Sequence, residues 1–340
     1  MIQLGAFICI ISPTLVEVGL DRGVYGSPNP PSERNRWGVK ADLFAMKKGD
    51  LAFFYVRQEK IFLGPYRIKE TVLDDASTVA SSSGRSVLDN RYPFRFTFEP
   101  YLYHFSNDLQ LDDVADLIEK KIIWSFPHPI TMERTRGARS VNPITRDEAR
   151  ELIHLFLRDN PVLKPARLLQ NPYVPAPLRR IGLNLDVKTN GTLRFENNLL
   201  AWFNAGLARR EPKILNLVGK YSEFLSGVPA GEKRIDLLCI HAKPPDEYHL
   251  PKPYLFTIIE LMTGRGDFDH LNRLLYYRDW VVDRLADGNR KCVQSVLVAK
   301  GFRLEVMRAT REIGWRSRII LVEYDARTIP GDLRLQKRFP

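Results

Sequence analysis

Cysteine is scarce in this sequence, and the motifs that would depend on cysteine or histidine clusters are missing. The 340 residues include three cysteines, Cys9, Cys239 and Cys292, and six histidines. The cysteines are odd in number, widely spaced and set in apolar runs, so we expect buried free thiols in a reducing compartment. The histidines lack metal-ligand spacing, and there is no glycine-rich phosphate loop. These absences argue against a disulfide scaffold, a zinc site and an ATP-driven motor.

Long hydrophobic runs are also missing. The N-terminal run MIQLGAFICIISPTLVEV is apolar, but it is too short and interrupted to span a membrane. It lacks the basic start of a secretion signal. The sequence therefore predicts a cytoplasmic protein with no membrane association.

Charge of one sign is in excess, with 51 Lys and Arg against 40 Asp and Glu, which gives a formal net charge of +11. This balance favours an anionic partner, and nucleic acid first. A basic surface that serves only solubility is the alternative. The length predicts two domains, and the 44% hydrophobic content suffices for ordinary cores.

Two apolar runs in the second half each contain a carboxylate. Ile235 to Ile240 contains Asp236, and Tyr254 to Leu261 contains Glu260. Both runs are short and bounded by turn residues, which predicts strands. Residues 241–253 between them are rich in proline and acidic residues, which suits a hairpin connection.

A carboxylate inside an apolar strand is costly to bury unless it is paired or binds a metal. Two such carboxylates on neighbouring strands would also repel each other. A divalent cation between them removes both costs, and Mg²⁺ favours one or two carboxylates together with waters and phosphate oxygens. We therefore expect Mg²⁺ (or Mn²⁺) as cofactor and phosphodiester hydrolysis as the chemistry.

The Asp after Arg-Ile, the Glu-Leu on the next strand and the Tyr-x-x-Trp helix resemble a PD-(D/E)XK nuclease of the NucS-type branch. The resemblance covers about the last 150 residues, a common domain size. It implies that Asp236, Glu260 and the backbone carbonyl of Leu261 are metal ligands. It further implies that a helical Glu completes the acidic cluster. Glu196 fits, because it heads an apolar stripe at helical spacing in FENNLLAWFNAGL.

The helix predicted from about Asp269 to Leu285 carries two further candidates. Arg273 stands where the family has Gln, and Tyr277 stands where it has Tyr. The two residues are four apart, so they share one helix face. Active-site residues and a solvent-facing Arg-Tyr pair are the two interpretations.

One position departs from the family pattern, because Met262 stands where the family has the Lys that orients the attacking water. Three explanations remain open. A cation such as Arg265, Lys233 or Arg273 reaches the site, the chain is an inactivated variant, or the domain binds nucleic acid without cutting it.

Short strands dominate the first half, which predicts a small β-rich barrel with peripheral helices. A loop over 23–36 precedes a new element at Trp37, and the Ser-rich residues 77–86 look mobile. Thr145 heads a helix with Glu148 as capping-box partner. Further elements are predicted at Ala6–Ile11, Leu51–Val56, Ile61–Lys69, Tyr92–Glu99 and Leu111–Ile123.

The blocks GDLAFFYV, KIFLGPYRIKE, YPFRFTFEP and GARSVNPITRDEARELI resemble, in this order, an EVE domain of the PUA-like superfamily, which also contains YTH modules. The resemblance implies a domain over 1–157 that reads a modified base in a flipped state. Flat apolar surfaces suit a methylated base. The candidate base-binding residues are Ser12, Trp37, Tyr92, Trp124, Arg139 and Ser140.

These candidates differ in expected role. Trp37 is the best candidate for a cage wall, with a buried core Trp as the alternative. Ser12 is placed to bond a base edge, and Arg139 and Ser140 to hold phosphates. Tyr92 and Trp124 also suit the core. The second cage Trp expected before YPFRF is absent, since Val87 and Leu88 stand there.

The proline-rich basic segment 158–180 predicts a semi-rigid linker, either a tether or a positive strip for a nucleic-acid backbone. A nuclease-like mixed sheet flanked by helices would then occupy 181–340. Together these features predict a modification-dependent DNA endonuclease of restriction type that acts on double-stranded DNA as a homodimer. A non-catalytic binder of modified DNA or RNA is the alternative.

Overall fold

The chain folds into two compact units, Met1–Ile181 and Gly182–Pro340. The computed structural model describes residues 5–127, 139–166, 168–175, 183–241, 255–313, 318–327 and 331–338. Both units mix helices with sheets, so the class is mixed α and β, as the sequence predicts. None of the helices in these ranges combines the length and the apolar character that a membrane crossing requires.

The first unit contains eleven strands and four helices within the described residues. The strands are β1 Ala6–Ile11, β2 Val24–Ser27, β3 Leu51–Val56, β4 Ile61–Val72, β5 Val79–Ala80, β6 Val87–Leu88, β7 Phe94–Pro100, β8 Tyr103–His104, β9 Leu109–Gln110, β10 Val141–Ile144 and β11 Lys164–Pro165. The helices are α1 Pro13–Arg22, α2 Glu33–Ala45, α3 Leu111–Glu119 and α4 Arg146–Asp159.

One large mixed sheet organises this unit, in the order β10-β1-β3-β4-β7-β2, with β9 also paired to β4. Strands β1 and β3 are parallel, with Ile11 opposite Val56, and the other pairs are antiparallel. The two edges of the sheet approach each other, because the Tyr25 hydroxyl on β2 donates to the carbonyls of Ile10 and Ser140. The sheet therefore curls towards the barrel that the sequence predicts.

Several predicted elements of this unit are confirmed, while three are corrected. Strands β1 and β3 have the predicted bounds. Trp37 does not open an element but lies inside α2, and residues 23–36 contain β2 as well as loop. The Ser-rich segment is held in place, since Ser82 and Ser86 hydrogen-bond Asp21 and the Thr14 carbonyl on α1.

The predicted capping box at the start of α4 is confirmed and extends further than the sequence indicates. The Thr145 hydroxyl accepts from the Glu148 N–H at 3.1 Å, and the Glu148 carboxylate accepts from the Thr145 N–H at 2.6 Å. The same carboxylate, 1% exposed, accepts from the N–H groups of Trp124 and Ser125. One buried side chain thus satisfies backbone donors from two segments.

Replacing Glu148 by alanine is expected to destabilise the protein by about 3 kcal/mol, because three buried N–H donors lose a charged acceptor. Glu151→Ala serves as a matched control on the same helix, since its partly exposed carboxylate lies 3.5 Å from the exposed His154 ring. That change is expected to stay within about 0.5 kcal/mol. Urea unfolding followed by circular dichroism measures both, and equal losses would contradict the prediction.

The described part of the predicted linker is docked on the first unit rather than extended as a free spacer. Helix α4 runs to Asp159, and β11 pairs with β8. The Tyr173 N–H donates to the Arg22 carbonyl at 2.7 Å, and its hydroxyl hydrogen-bonds the Asp75 carboxylate and Ser77. Specific polar contacts order a segment whose composition suggests a tether.

The second unit contains eight strands and four helices within the described residues. The strands are β12 Glu223–Ala230, β13 Lys233–Ile240, β14 Phe256–Leu261, β15 Arg265–Gly266, β16 Val293–Ala299, β17 Gly301–Phe302, β18 Ile319–Asp325 and β19 Arg334–Arg338. The helices are α5 Glu196–Arg209, α6 Pro212–Val218, α7 Phe268–Leu285 and α8 Leu304–Ile313.

A six-stranded mixed sheet, ordered β12-β13-β14-β16-β18-β19, forms the centre of this unit. Strands β12, β13 and β14 are antiparallel neighbours, and α7 connects β14 to the parallel strand β16. Leu199 and Phe203 of α5 pack with Leu237, Ile259 and other sheet residues in one core. Because side chains alternate along a strand, Asp236 and Glu260 lie on the opposite face, where α7 packs against β14 and β16.

The predicted mixed sheet with flanking helices is present, whereas the nuclease family assignment remains a prediction. Helix α6 ends at Val218, and Phe224 belongs to β12. The predicted hairpin connection lies outside the described residues, apart from His241. All three cysteines are free, as predicted; Cys9 and Cys239 are buried, and Cys292 is half-buried.

Candidate functional site

Asp236 and Glu260 form a carboxylate pair on the α7 face of the second sheet. The register places Leu237 opposite Ile259, so Asp236 and Glu260 are the next facing positions of the two strands. One Asp236 oxygen accepts from the Leu261 N–H at 2.8 Å. Glu260 is 1% exposed, and neither of its oxygens accepts a hydrogen bond of good geometry from the described residues.

Burial and the charge of a neighbouring carboxylate raise the pKa of both carboxyl groups. For Asp236 the largest cause is burial, followed by the charge of Glu196. For Glu260 burial again comes first, and the charge of Asp236 second. The charge of Asp236 therefore disfavours ionisation of Glu260, which is the conflict the sequence predicts for this pair, and the charge of Glu196 disfavours ionisation of Asp236.

A cation from α7 partly offsets this conflict. The Arg273 guanidinium forms an ion pair with Glu260. Although burial opposes it, the charges of Glu260 and Asp236 raise the pKa of Arg273. Of the three cations proposed to replace the missing Lys, Arg273 is the one in contact with a site carboxylate, while Arg265 is exposed on β15. Met262, half-buried after β14, donates its backbone N–H to the Val298 carbonyl.

An open cleft of about 480 Å³ lies beside the pair, and its lining is mostly cationic and aromatic. The lining residues are Lys233, Arg234, Asp269, His270, Arg273 and Tyr277. The Tyr277 hydroxyl is held by a backbone hydrogen bond from Arg234, and burial, then the charge of Glu260, raises its pKa. Lys233 also lies 5.0 Å from the Tyr276 ring centroid. Such a cleft favours an anionic ligand next to two buried carboxylates.

Glu196 is the first residue of α5, and it acts on the pair through its charge. Within the described ranges, no group of three or more His, Cys, Asp or Glu side chains is close enough to hold a metal ion. The three-carboxylate cluster expected at one point is therefore not assembled there. Leu261 contacts the pair through its N–H, so its role as a carbonyl ligand stays a prediction.

A divalent cation still fits the chemistry of the two remaining carboxylates. Mg²⁺ and Mn²⁺ prefer oxygen ligands, and Mg²⁺ is commonly held by one or two carboxylates with waters completing the shell. The buried Glu260 carboxylate, which accepts no hydrogen bond of good geometry from the described residues and faces the single charge of Arg273, is the observation that supports this fit. Asp236 and Glu260 would hold the ion.

The first unit has a cavity of about 360 Å³ where β1 ends. Three of the six candidate base-binding residues, Ser12, Tyr92 and Ser140, line it. The Ser12 hydroxyl lies 2.9 Å from that of Thr14, and the Ser140 hydroxyl lies 3.3 Å from that of Ser27. The structure thus brings together Ser12 and Ser140, which are 128 positions apart in the sequence.

The other three candidates lie elsewhere. Trp37 is half-buried on α2, with the Lys40 amine 5.5 Å from its ring centroid, and it does not line this cavity. Arg139 forms an ion pair with buried Asp42, so its guanidinium is not presented to a phosphate. Trp124 contributes its backbone N–H to Glu148. None of these three residues lines this cavity, and their roles in binding a modified nucleic acid stay predictions.

Sequence reasoning missed the other eight lining residues of this cavity, and Gly26, Pro28, Arg57 and Gln58 are among them. A Cβ atom on Gly26 would lie 2.9 Å from that of Tyr92, so glycine allows Tyr92 to approach β2. Arg57 and Gln58 follow β3, whose end lies beside the end of β1 because the two strands are parallel. The local sequence pattern does not show which distant strands pair in parallel. It therefore could not identify Arg57 and Gln58 as lining residues.

A larger cavity of about 960 Å³ opens elsewhere in the first unit. Its wall includes Tyr66, Phe105 and Phe156 together with β8 and β11. Burial, followed by the charge of Asp108, raises the pKa of Tyr66. None of the predicted site residues lines this cavity.

Comparison with known proteins gives weak likenesses. No protein-family model matches the chain, and no curated protein matches it. Solved structures with partial similarity include human THYN1 in complex with 5-methylcytosine-containing DNA, at 17% identity and a TM-score of 0.29, covering 45% of this chain and 97% of that one.

Two further structures are similar over a comparable share of the chain. The YTH domain of Zygosaccharomyces rouxii MRB1, in complex with N6-methyladenosine RNA, has 13% identity and a TM-score of 0.27, covering 46% of this chain and 91% of that one. A hypothetical protein from Leishmania major has 10% identity and a TM-score of 0.30, covering 46% and 96%. At these values, the likeness does not define what this chain binds.

Proposed function

We propose that the protein is a metal-dependent endonuclease that cuts double-stranded DNA carrying a modified base. The observation that carries the proposal is the buried Asp236–Glu260 pair beside a cleft lined by Lys233, Arg234 and Arg273. Buried carboxylates are retained against their desolvation cost when they serve a charge-dependent function. The cationic cleft supports a polyanionic substrate.

The roles follow from the positions of the side chains. Asp236 and Glu260 hold a divalent cation, which when bound polarises the phosphodiester and activates water. Lys233 and Arg234 bind the phosphates that flank the scissile bond. Arg273 supplies the positive charge that Met262 cannot, beside the developing negative charge on the phosphate.

In this proposal, the smaller cavity of the first unit, at the end of β1, supplies the specificity for the modified base. Its volume of about 360 Å³ is in the range of small-molecule sites, about 300–1,000 Å³. Ser12 and Ser140 present hydroxyls to a base edge, and Tyr92 offers an aromatic face to an extruded base. The free thiols favour a cytoplasmic location, and cutting both strands requires a homodimer.

The proposal predicts cleavage that depends on both the metal and the carboxylate pair. With Mg²⁺ or Mn²⁺, methylated duplex DNA is expected to be cut faster than the unmodified duplex, and Asp236→Ala is expected to cut neither. Asp283→Asn, at an exposed position of α7, is the matched control and should cut normally. Calorimetry should show Mn²⁺ binding to the wild type and none to Asp236→Ala.

Other outcomes separate the parts of the proposal. Equal cleavage of both duplexes would remove the reading role of the first unit. Binding of methylated DNA with neither cleavage nor Mn²⁺ binding would favour the second candidate, a non-catalytic binder. Met262 and the Arg273–Glu260 ion pair are the observations that favour that candidate. Competition between RNA and duplex DNA decides which nucleic acid is bound.

A further inference from the structure

An Asp–His pair stands at the start of α7, and the nuclease resemblance does not include it. Asp267 is the N-cap residue of α7 and accepts the backbone N–H of His270 at 3.3 Å. The same Asp267 oxygen lies 2.5 Å from Nδ1 of the His270 ring. Asp267 thus both caps the helix and fixes the orientation of the imidazole. The tautomer with a proton on Nδ1 leaves Nε2 as the nitrogen that can accept a proton.

The imidazole lies on the wall of the cationic cleft. His270, Arg273 and Tyr277 are spaced i, i+3 and i+7, so they share one face of α7, and all three line the cleft. Lys233 and Arg234 of β13 line the same cleft. A phosphodiester bound by these cations would therefore lie beside the ring of His270.

The cleft needs a group that accepts a proton, and most of its residues cannot serve. Met262 has no titratable group. Arg273 is ion-paired with Glu260, and the raised pKa of Tyr277 keeps its hydroxyl protonated. Asp269 is exposed to water on the first turn of α7. His270 is the residue type used most often for proton transfer, and it has an orienting carboxylate.

We infer that His270 is a catalytic residue that accepts the proton of the attacking water. The inference rests on the proposed function. As the water oxygen forms its bond to phosphorus, Nε2 takes the water proton and one P–O ester bond breaks. The electron pair of that bond stays on the leaving oxygen, which is protonated by solvent. Asp267 is a positioning residue that holds the ring and stabilises the imidazolium.

The deciding measurement is chemical rescue of cleavage at saturating metal and DNA. His270→Ala is expected to lower kcat about 10²-fold or more, which is the usual contribution of general base catalysis. Added imidazole is expected to restore part of that rate, and more basic imidazoles to restore more. Asp267→Asn is expected to cause a smaller loss that imidazole does not restore. The affinity for Mn²⁺ should be unchanged in both variants.

A matched control exists in the first unit. His154 on α4 forms a similar i, i+3 pair with Glu151, but its side chain is 56% exposed and lies outside the cleft. His154→Ala is expected to leave kcat unchanged and to show no response to imidazole.

The position of the His270 ring in the cleft can be tested independently of catalysis. Diethyl pyrocarbonate modifies accessible imidazoles, and mass spectrometry identifies the modified peptide. In the presence of EDTA, uncut DNA is expected to protect His270 and to leave the modification of His154 unchanged. Equal modification of His270 with and without DNA would overturn the placement.

The outcomes distinguish this inference from the proposed function. A wild type that cuts no DNA overturns the proposed function, and the inference with it. A wild type that cuts while His270→Ala retains full kcat overturns the inference alone. So does a folded, DNA-binding His270→Ala protein whose lost activity no imidazole restores. His270→Gln keeps the size of the side chain and should match His270→Ala.

Discussion

Replacing Arg95 by methionine is expected to destabilise the first unit by about 3–5 kcal/mol, since it breaks a buried ion pair by removing one partner. Arg95 on β7 has no exposed surface, and its guanidinium lies 3.2 Å from the Asp75 carboxylate. It also donates to the carbonyls of Ser77, Tyr92 and Asp89. Methionine would leave three carbonyls without this donor and the buried Asp75 carboxylate without its counter-charge.

The loss of Arg95 should also release the docked segment around Tyr173. The Tyr173 ring centroid is 5.8 Å from the Arg95 guanidinium, and its hydroxyl donates to Asp75. Hydrogen exchange followed by mass spectrometry is therefore expected to show faster exchange in residues 168–175 of the variant. Urea unfolding gives the change in free energy.

Arg67→Met is the matched control for this prediction. Arg67 is 42% exposed on β4 and lies 4.0 Å from Glu99, which is a weak surface pair. Its replacement is expected to cost less than about 1 kcal/mol. A similar cost for the two variants would contradict the account of Arg95, while adding Asp75→Asn to Arg95→Met should recover part of the loss.

Local patterns were sufficient to predict the elements whose signals lie within one segment. The apolar runs gave β1 and β3, and the spacing of Thr145 and Glu148 gave the start of α4. The carboxylates within two apolar runs also predicted that Asp236 and Glu260 would face each other. Each of these signals depends on a few consecutive residues and on one known periodicity.

Features that depend on distant partners could not be predicted in this way. The sequence did not indicate that Trp37 lies inside a helix or that Arg139 forms an ion pair with buried Asp42. The segment around Tyr173 has a linker composition, yet Asp75 and Arg22 hold it. Asp267 and His270 do carry a local signal, because an N-cap Asp is followed three residues later by His. The functional meaning of that signal depends on the cleft beside His270.

Removing Arg273 is the change in the second unit with the largest expected effect. Arg273→Ala would leave Glu260, which is 1% exposed, beside Asp236 without its counter-charge. Breaking a fully buried pair costs about 3–5 kcal/mol, and because Arg273 is 35% exposed we expect about 2 kcal/mol in the absence of metal. Thermal unfolding with EDTA measures the loss. Arg284→Ala, exposed on the same helix, should change stability by less than about 0.5 kcal/mol.

The loss of stability caused by Arg273→Ala is expected to grow as the pH rises. Burial and the charge of a neighbouring carboxylate, Glu196 for Asp236 and Asp236 for Glu260, raise the pKa of both groups in the folded protein above the ordinary value near 4. A group with a raised folded-state pKa stabilises the fold at low pH, and that stability is lost as pH rises through the folded-state pKa. Arg273→Ala should therefore cost little at pH 5 and most near pH 9. A cost that is the same at both pH values would contradict this account.

A divalent cation and Arg273 would neutralise the charge of the same two carboxylates. The Arg273→Ala variant therefore also tests whether the pair binds a metal ion. Mn²⁺ is expected to bind Arg273→Ala more tightly than the wild type, because no guanidinium competes for Glu260. It should restore stability in proportion to its concentration, as a ligand specific for the folded state does. Tighter Mn²⁺ binding with slower cleavage would indicate that Arg273 acts on the substrate phosphate. Absence of any Mn²⁺ effect would leave Arg273 as the permanent counter-ion of a site that binds nucleic acid without cutting it.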